Sequence, residues 1–247
     1  MEFIRSDDYH ADSCLITWNH PNTRMKVTTY PMMHIASADY YRQIARELER
    51  CKYVLVEGVN WQRGDKRRHL YDLAAKNLGL AAQEDALQYP PSSKKINLDM
   101  PRSEFRTLLF RLPVRYILRV LLLRPILWVI TLPPSFRRKA IIYGLLRRGR
   151  QQDRSHETPF TDLIVGRRNN RIVENLEKFY RDNGASEQTV YSAIVYGAGH
   201  MSAISAGLRR LGFRPGTRRW VEMLRIPPEN DGVAQAPTPS TTRVKWS

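Results

Sequence analysis

The sequence predicts an α/β fold with a mostly parallel central sheet, built from two related βαβ-type halves with a helical insert. Short β-prone apolar runs alternate with amphipathic helical patterns, which is typical of α/β folds. The pattern Tyr-x-x-x-His also occurs twice between a predicted strand and a predicted helix, at Tyr30/His34 and at Tyr196/His200. A long basic and apolar stretch separates the two copies. These observations divide the chain into an N-terminal half (1–101), an insert (102–160), a C-terminal half (161–226) and a disordered tail (227–247) rich in Pro, Thr, Ser and Gln.

The charge balance is the unusual feature of the composition. The 247 residues include 40 Lys and Arg against 24 Asp and Glu, a net charge of +16. Such a balance indicates an anionic partner: lipid headgroups, nucleic acid or an acidic substrate. Cys14 and Cys51 form no Cys-x-x-Cys motif, which argues against a zinc finger or a disulfide framework. The N-terminus lacks the apolar run of a secretory signal, so a cytoplasmic location is expected.

The first half reads as a β-hairpin followed by a βαβ unit. A turn at His20 to Asn22 separates two β-prone runs, and helical spacing then precedes the apolar run Tyr53 to Val56. Further on, helical spacing stops at Gly79, and Ala81 to Gln83 resembles a short strand. The predicted elements are strands at 14–19, 25–30, 53–56 and 81–83, and helices at 38–51 and 66–80.

Two side chains that can take part in catalysis or metal binding follow strands of this βαβ unit. His34 comes after the strand 25–30, and Glu57 comes directly after the strand 53–56. We expect these two strands to be neighbours, about 4.8 Å apart, so that both side chains meet at the carboxyl edge of the sheet. Ligands of open α/β sheets bind at this edge. A carboxylate between a buried strand and a glycine therefore indicates function at Glu57 more than a solvated turn.

The stretch 102–150 is both more basic and more apolar than the rest of the chain. It holds twelve Lys and Arg residues against a single acid, Glu104, for a net charge of +11. Prolines divide its apolar runs into pieces of about ten residues, whereas a spanning helix needs about 20. Two interpretations remain: a helical insert that caps the site, which we favour, or a surface that lies on an anionic membrane. Few aromatic side chains accompany the arginines, which argues against nucleic-acid binding.

The second half predicts a helix, a strand, a tight turn and another helix. Arg168 and Asn169 lie in the first turns of a helix that ends near Gly184. A buried strand at 191–196 runs into the glycine-rich turn before His200, helical spacing follows over 201–211, and a last strand covers 218–226. His200 is then either a helix-capping histidine or part of a site.

Three motifs in this order resemble the TraB/PrgY/GumN family. They are Val54-Leu55-Val56-Glu57-Gly58, the Arg168-Asn169 helix start and Tyr196-Gly197-Ala198-Gly199-His200. The resemblance covers roughly residues 14–226. The family includes the Tiki metalloproteases and is distantly similar to the ChaN and erythromycin-esterase proteins. Gln83 and Asp99 also look like its polar middle positions.

The family resemblance implies a two-halved α/β fold with a shared pocket and, for some members, metal-dependent hydrolysis. His34, Glu57 and His200 would then bind a divalent metal (Mn, Co or Zn), since two imidazoles and a carboxylate leave a position open for water. Arg168 would stabilise an oxyanion or hold a substrate carboxylate, and Asn169 would orient water or substrate. Without a metal, His34 or His200 would act as a general base.

One position departs from the family pattern. Pro31 stands where the first Gly-x-x-His motif has its glycine, and proline has no backbone N–H to donate. The His200 side is therefore expected to keep the chemistry if only one side does. The sequence predicts a hydrolase of amide or ester bonds that acts on a small molecule or peptide. The alternative is a non-enzymatic ligand-binding or signalling protein at the membrane surface.

Overall fold

In the computed structural model, the described residues form a main sheet of seven strands and a separate pair of short strands. The structure describes residues 1–7, 10–58, 75–76, 78–110, 162–185 and 187–225. The strands are β1 (Ile4–Ser6), β2 (His10–Asn19), β3 (Met25–Met32), β4 (Ile35–Ala36), β5 (Tyr53–Val56), β6 (Ala81–Ala82), β7 (Lys94–Asn97), β8 (Val190–Gly197) and β9 (Arg214–Arg225).

The centre of the main sheet is parallel. Strands β3, β8, β5 and β7 lie side by side in that order, and each pairs with its neighbour in parallel. Antiparallel strands extend the sheet beyond β3: β2 pairs with β3 and β1, and β9 pairs along β2. The predicted α/β class and its mostly parallel sheet are therefore confirmed.

The predicted adjacency of β3 and β5 is wrong. Strand β8 lies between them and pairs with both, so that Ile194 is opposite Thr29 on one side and Leu55 on the other. The two strands of the βαβ unit are thus separated by the strand from the second half. This insertion puts the β8 turn, rather than the end of β3, next to Glu57.

Helices cover both faces of the sheet. The described helical elements are α1 (Ala38–Leu48), α2 (Gln83–Ala86), α3 (Arg102–Phe110), a π-helical turn (Asp162–Arg167), α4 (Arg168–Asn183), a 3₁₀ turn (Ala198–His200) and α5 (Met201–Arg210). No helix among the described residues is long and apolar enough to cross a membrane.

Helix α1 packs on one face of the sheet because its apolar residues share one side. Tyr40, Tyr41, Ile44 and Leu48 recur at helical spacing and are all fully buried, in one core with residues of β3, β5 and β8. The hydroxyl of Ser37 accepts a hydrogen bond from the backbone N–H of Tyr40 and caps the first turn.

Helices α4 and α5 pack on the opposite face. Both helices are amphipathic, and their apolar sides join the alternate residues of β5 and β8 in a second core. The α4 residues in this core are Ile172, Leu176 and Phe179, and the α5 residues are Met201, Ile204 and Leu208. The sheet is thereby buried on both sides, which explains why β5 and β8 are nearly continuous apolar runs.

The predicted elements are close to those observed. The hairpin of β2 and β3 is confirmed, as are α1, β5, β6, β8 and α5, although β2 and β9 begin earlier than predicted. Strands β1, β4 and β7 were not predicted. Most of the helix predicted at 66–80, most of the insert and the tail at 227–247 lie outside the described residues.

Candidate functional site

A polar cluster lies where the parallel strands β5, β7 and β8 end. Glu57 directly follows β5, Asp99 comes two residues after β7, and Gly197 is the last residue of β8. Because the three strands are parallel neighbours, their carboxyl ends meet at one edge of the sheet. The first turn of α4 and the turn into α5 bring Arg168, Asn169 and His200 to the same edge. We call these six residues the edge cluster.

The carboxylate of Glu57 is the centre of the edge cluster. Its Oε2 accepts a hydrogen bond of 2.6 Å from the backbone N–H of Gly197. Its Oε1 lies 2.9 Å from Nη2 of Arg168 and 3.3 Å from Nε2 of His200. Both oxygens are therefore engaged by donors from other parts of the fold.

Gly197 is glycine because the Glu57 carboxylate lies against its backbone. A Cβ atom at this position would be 2.9 Å from Oε2 of Glu57, closer than real Cβ contacts come. At Gly199, by contrast, a Cβ would meet no atom within 4 Å. The first glycine of the turn thus permits a close approach of backbone and carboxylate, and the second has no such steric role.

Arg168 joins two carboxylates. Its Nε donates to Oδ1 of Asp99 at 3.0 Å, and its Nη2 donates to Oδ2 of the same residue as well as to Glu57. The Asp99 side chain is fully buried, and only 11% of the Arg168 side chain is exposed. Asp99 therefore occupies the edge of this guanidinium that is formed by Nε and Nη2.

The ionic state of Glu57 is fixed by its neighbours. Burial by itself would raise the pKa of the Glu57 carboxyl, but a hydrogen bond and positive charge at His200 oppose it. The charge of Arg168 and the N–H of Gly197 add to this effect, so the pKa lies well below its usual range. Glu57 is therefore a carboxylate at neutral pH and carries no proton to donate.

Arg168 is held in its charged form by the same contacts. Burial alone would lower the pKa of its guanidinium, yet the hydrogen bond to Asp99 and the charges of Glu57 and Asp99 raise it above the usual value. The buried carboxylates and the buried arginine thus stabilise each other's ionic forms, as buried ion pairs must.

His200 is held at both ring nitrogens. Nε2 faces Glu57, and Nδ1 lies 2.6 Å from Oδ1 of Asn169. An oxygen atom faces each ring nitrogen. Only the protonated ring, the imidazolium, has an N–H on both nitrogens and can donate to both oxygens. A half-turn of the Asn169 amide would place its NH₂ group toward Nδ1 and would suit the neutral ring, so the arrangement accommodates both protonation states.

Tyr196 packs beside His200. Its ring is fully buried and lies edge-on to the imidazole, with ring centroids 6.2 Å apart. Burial raises the pKa of its phenol, and the negative charges of Asp99 and Glu57 raise it further. Tyr196 is therefore a neutral phenol at physiological pH.

His34 has a different environment from His200. It is exposed, and its backbone carbonyl accepts a hydrogen bond of 2.9 Å from the N–H of Gln83. The predicted ligand set of His34, Glu57 and His200 is not assembled: among the residues that the structure describes, no group of three or more His, Cys, Asp or Glu side chains is arranged to hold a metal ion. The engaged oxygens of Glu57 agree with this.

Four of the five predicted site residues come together, namely Glu57, Arg168, Asn169 and His200. The role of Asp99 as the bidentate partner of Arg168 was not predicted, although its position was noticed in the family resemblance. Strand β7 was not recognised in the sequence because it begins with two lysines, Lys94 and Lys95. Its end would have placed Asp99 at the same edge of the sheet as Glu57.

Comparisons with known proteins add no family to this description. No protein-family model, no curated protein and no solved structure matches the chain significantly.

Proposed function

We propose that this protein is a hydrolase of amide or ester bonds in which His200 transfers the proton. The observation that supports the proposal most is the convergence of Glu57, Arg168, Asn169 and His200 from three separate segments at the carboxyl edge of the parallel strands. This edge is where open α/β sheets bind their ligands. The resemblance to the TraB/PrgY/GumN family points to the same class of reaction.

Each residue has a role that follows from its contacts. Glu57 holds Nε2 of His200 and stabilises the positive charge that the ring gains when it takes up a proton. Arg168 and Gly197 hold Glu57 in place. Nδ1 is then the atom that can exchange a proton with a substrate, once the side chain of Asn169 has moved from it.

The reaction requires one proton to pass through His200. Water attacks the carbonyl carbon of the substrate while Nδ1 takes a proton from that water. The C–N or C–O bond then breaks, and the same proton passes from Nδ1 to the leaving nitrogen or oxygen. The ring returns to its neutral form, with Nε2–H directed at Glu57.

The edge cluster as described does not fit a metal centre, because donors already engage both oxygens of Glu57 and its nearest nitrogen partner, Nε2, faces the carboxylate itself. We therefore write no step through a metal. The predicted Mn²⁺, Co²⁺ or Zn²⁺ can be tested on its own by metal analysis of the purified full-length chain and by titration of the metal-stripped protein with each ion.

A panel of activated esters and peptide amides, given to the purified full-length chain, tests the proposed function. We expect turnover that His200→Ala and Glu57→Gln reduce strongly while both variants remain folded by circular dichroism. Absence of turnover of every ester and amide, at several pH values and with each metal, would contradict the hydrolase.

A second candidate function is ligand binding at an anionic membrane surface. It is favoured by the net charge of +11 in residues 102–150 and by Phe110, which ends α3 and is 73% exposed. Co-sedimentation with vesicles of phosphatidylserine and phosphatidylcholine tests it. We expect binding that falls with added salt and with Phe110→Ser; equal sedimentation with and without phosphatidylserine would contradict it.

A further inference from the structure

A groove between α4 and α5 adjoins the edge cluster. Its volume is about 290 Å³, and its lining includes Asn169, Asn170 and Val173 from α4 and Ala203 and Ala206 from α5. The small side chains of the two alanines leave space on the α5 side of the groove. A groove of this size lies near the lower end of the range for small-molecule sites, which suits a small ligand rather than a large one.

Asn169 belongs to both the groove and the edge cluster. Its side chain lines the groove, and its Oδ1 lies 2.6 Å from Nδ1 of His200. The histidine itself is 6% exposed and is absent from the lining of the groove. The carboxamide of Asn169 therefore stands between the groove and the proton-transfer atom.

The chemistry of that carboxamide indicates what can replace it. It presents one carbonyl oxygen and one NH₂ group, as does any amide. An amide in the groove can thus make the contact with Nδ1 that Asn169 makes, in either protonation state of the ring. An ester has no N–H and can make only the contact through its oxygen.

The remaining charges of the groove are compensated locally. The charged residues in the lining are Glu174, Glu177 and Arg210. Glu174 lies 3.3 Å from Arg171 outside the lining, and Glu177 lies 3.5 Å from Arg210, so each has a partner on the protein itself. A neutral group fits such a lining better than an ion does. The π-helical turn Asp162–Arg167 runs directly into this end of α4, and single π-helical turns often occur at functional sites.

We propose that the groove binds the neutral amide group of an amide substrate, which displaces the side chain of Asn169 from Nδ1 of His200. The inference rests on the proposed hydrolase function and narrows its substrate class from amides or esters to amides. Asn169 then acts as a gate: it occupies Nδ1 until an amide takes its place, and its removal makes the site easier to enter.

The test is a titration followed at the ring of His200. The full-length chain with ¹⁵N-labelled histidine is titrated with N-acetyl-alanine N′-methylamide and, in parallel, with methyl O-acetyl-lactate, the diester of the same shape. His200→Gln assigns the signal. Asn169→Ala removes the gate. Asn183→Ala is the matched control, because it removes a carboxamide at the other end of α4 that contacts the backbone carbonyl of Phe179 and does not line the groove.

We expect the diamide, and not the diester, to shift the His200 signal. In Asn169→Ala the apparent affinity should rise about fivefold or more, since a competing group has been removed, while Asn183→Ala should leave both the shift and the affinity unchanged. A His200 signal that the diamide does not move, or a loss of the shift in Asn169→Ala, would overturn the proposal. Binding without any turnover would contradict the hydrolase alone, and turnover with an unmoved His200 signal would contradict the groove alone.

Discussion

The two strand-to-helix junctions that share the pattern Tyr-x-x-x-His have different structures. Strands β3 and β8 are parallel neighbours, but Tyr30 pairs with Val195 rather than with Tyr196. Successive residues of a strand point to opposite faces, so an offset of one residue places the two tyrosines on opposite sides of the sheet. Tyr30 packs in the core under α1, and Tyr196 packs in the core under α4 and α5.

The segments after the tyrosines diverge further. Pro31 and Met32 continue β3 and remain paired with β8, and the chain after His34 forms the short strand β4 before α1 begins. After Tyr196 the chain turns at once, through Ala198–His200, into α5. The first histidine is therefore exposed at a loop, and the second is buried beside Glu57. A five-residue pattern specifies the order of elements but not the face of the sheet that its residues reach.

The largest difference between the junctions is expected in activity. His200→Ala should reduce amide or ester turnover by about 100-fold or more, which is the usual scale for the loss of a general acid or base. His34→Ala should change it less than about threefold, because the proposed proton transfer passes through His200 and not through His34. Steady-state rates of both purified variants test this, and equal losses would restore the two-histidine interpretation.

The next effect concerns the stability that Arg168 gives to the edge cluster. Arg168→Ala leaves the carboxylates of Asp99 and Glu57 without their shared partner and should lower the free energy of unfolding by about 3–5 kcal/mol. The matched control is Arg171→Ala, whose half-exposed pair with Glu104 should be worth about 1 kcal/mol or less. Urea denaturation measures both, and similar losses in the two variants would show that the buried cluster contributes nothing special.

The two glycines of the β8 turn offer a narrower contrast. Gly197→Ala forces a Cβ against Oε2 of Glu57 and should cost about 1–3 kcal/mol of stability. Gly199→Ala adds a Cβ where no atom lies within 4 Å and should change stability by less than about 0.5 kcal/mol. Thermal unfolding of the pair checks the close approach, and an equal effect at both glycines would argue that Glu57 does not lie there.

The smallest effect is expected in how the free energy of unfolding depends on pH under acidic conditions. The Glu57 pKa is lowered in the folded protein, so its contribution is fully present above the ordinary carboxyl value of 4.5 and is lost as pH falls below it. Glu57→Gln removes this dependence. The difference in unfolding free energy between wild type and Glu57→Gln should therefore shrink as pH is lowered from 5 to 3, and a constant difference would contradict the ionic contacts of Glu57.

Local patterns were sufficient to predict much of this fold. The hairpin turn at His20 to Asn22, the single apolar face of α1 and the nearly continuous apolar runs of β5 and β8 are all short-range signals, and each predicted the observed element. Glu57 and His200 could be selected as site residues for the same reason, since each directly follows a buried strand or its turn.

The order of strands and the partners within the site could not be predicted in this way. Strands β3, β5 and β8 are all mostly buried, so their composition does not specify which one lies in the middle. Strand β7 escaped notice because Lys94 and Lys95 are tolerated at an edge, where side chains and backbone reach water. With β7 unrecognised, the place of Asp99 at a strand end, and hence its pairing with Arg168, had no local signal.

His200 is buried and contacts Glu57, whereas His34 is exposed and is not one of the six residues of the edge cluster. Histidine-ring ¹⁵N spectra of the full-length chain test this arrangement most directly when wild type is compared with Glu57→Gln and Arg168→Ala. We expect both substitutions to move the ring signals of His200 and to leave those of His34 in place. Unmoved His200 signals, or equal changes at His34 and His200, would contradict it.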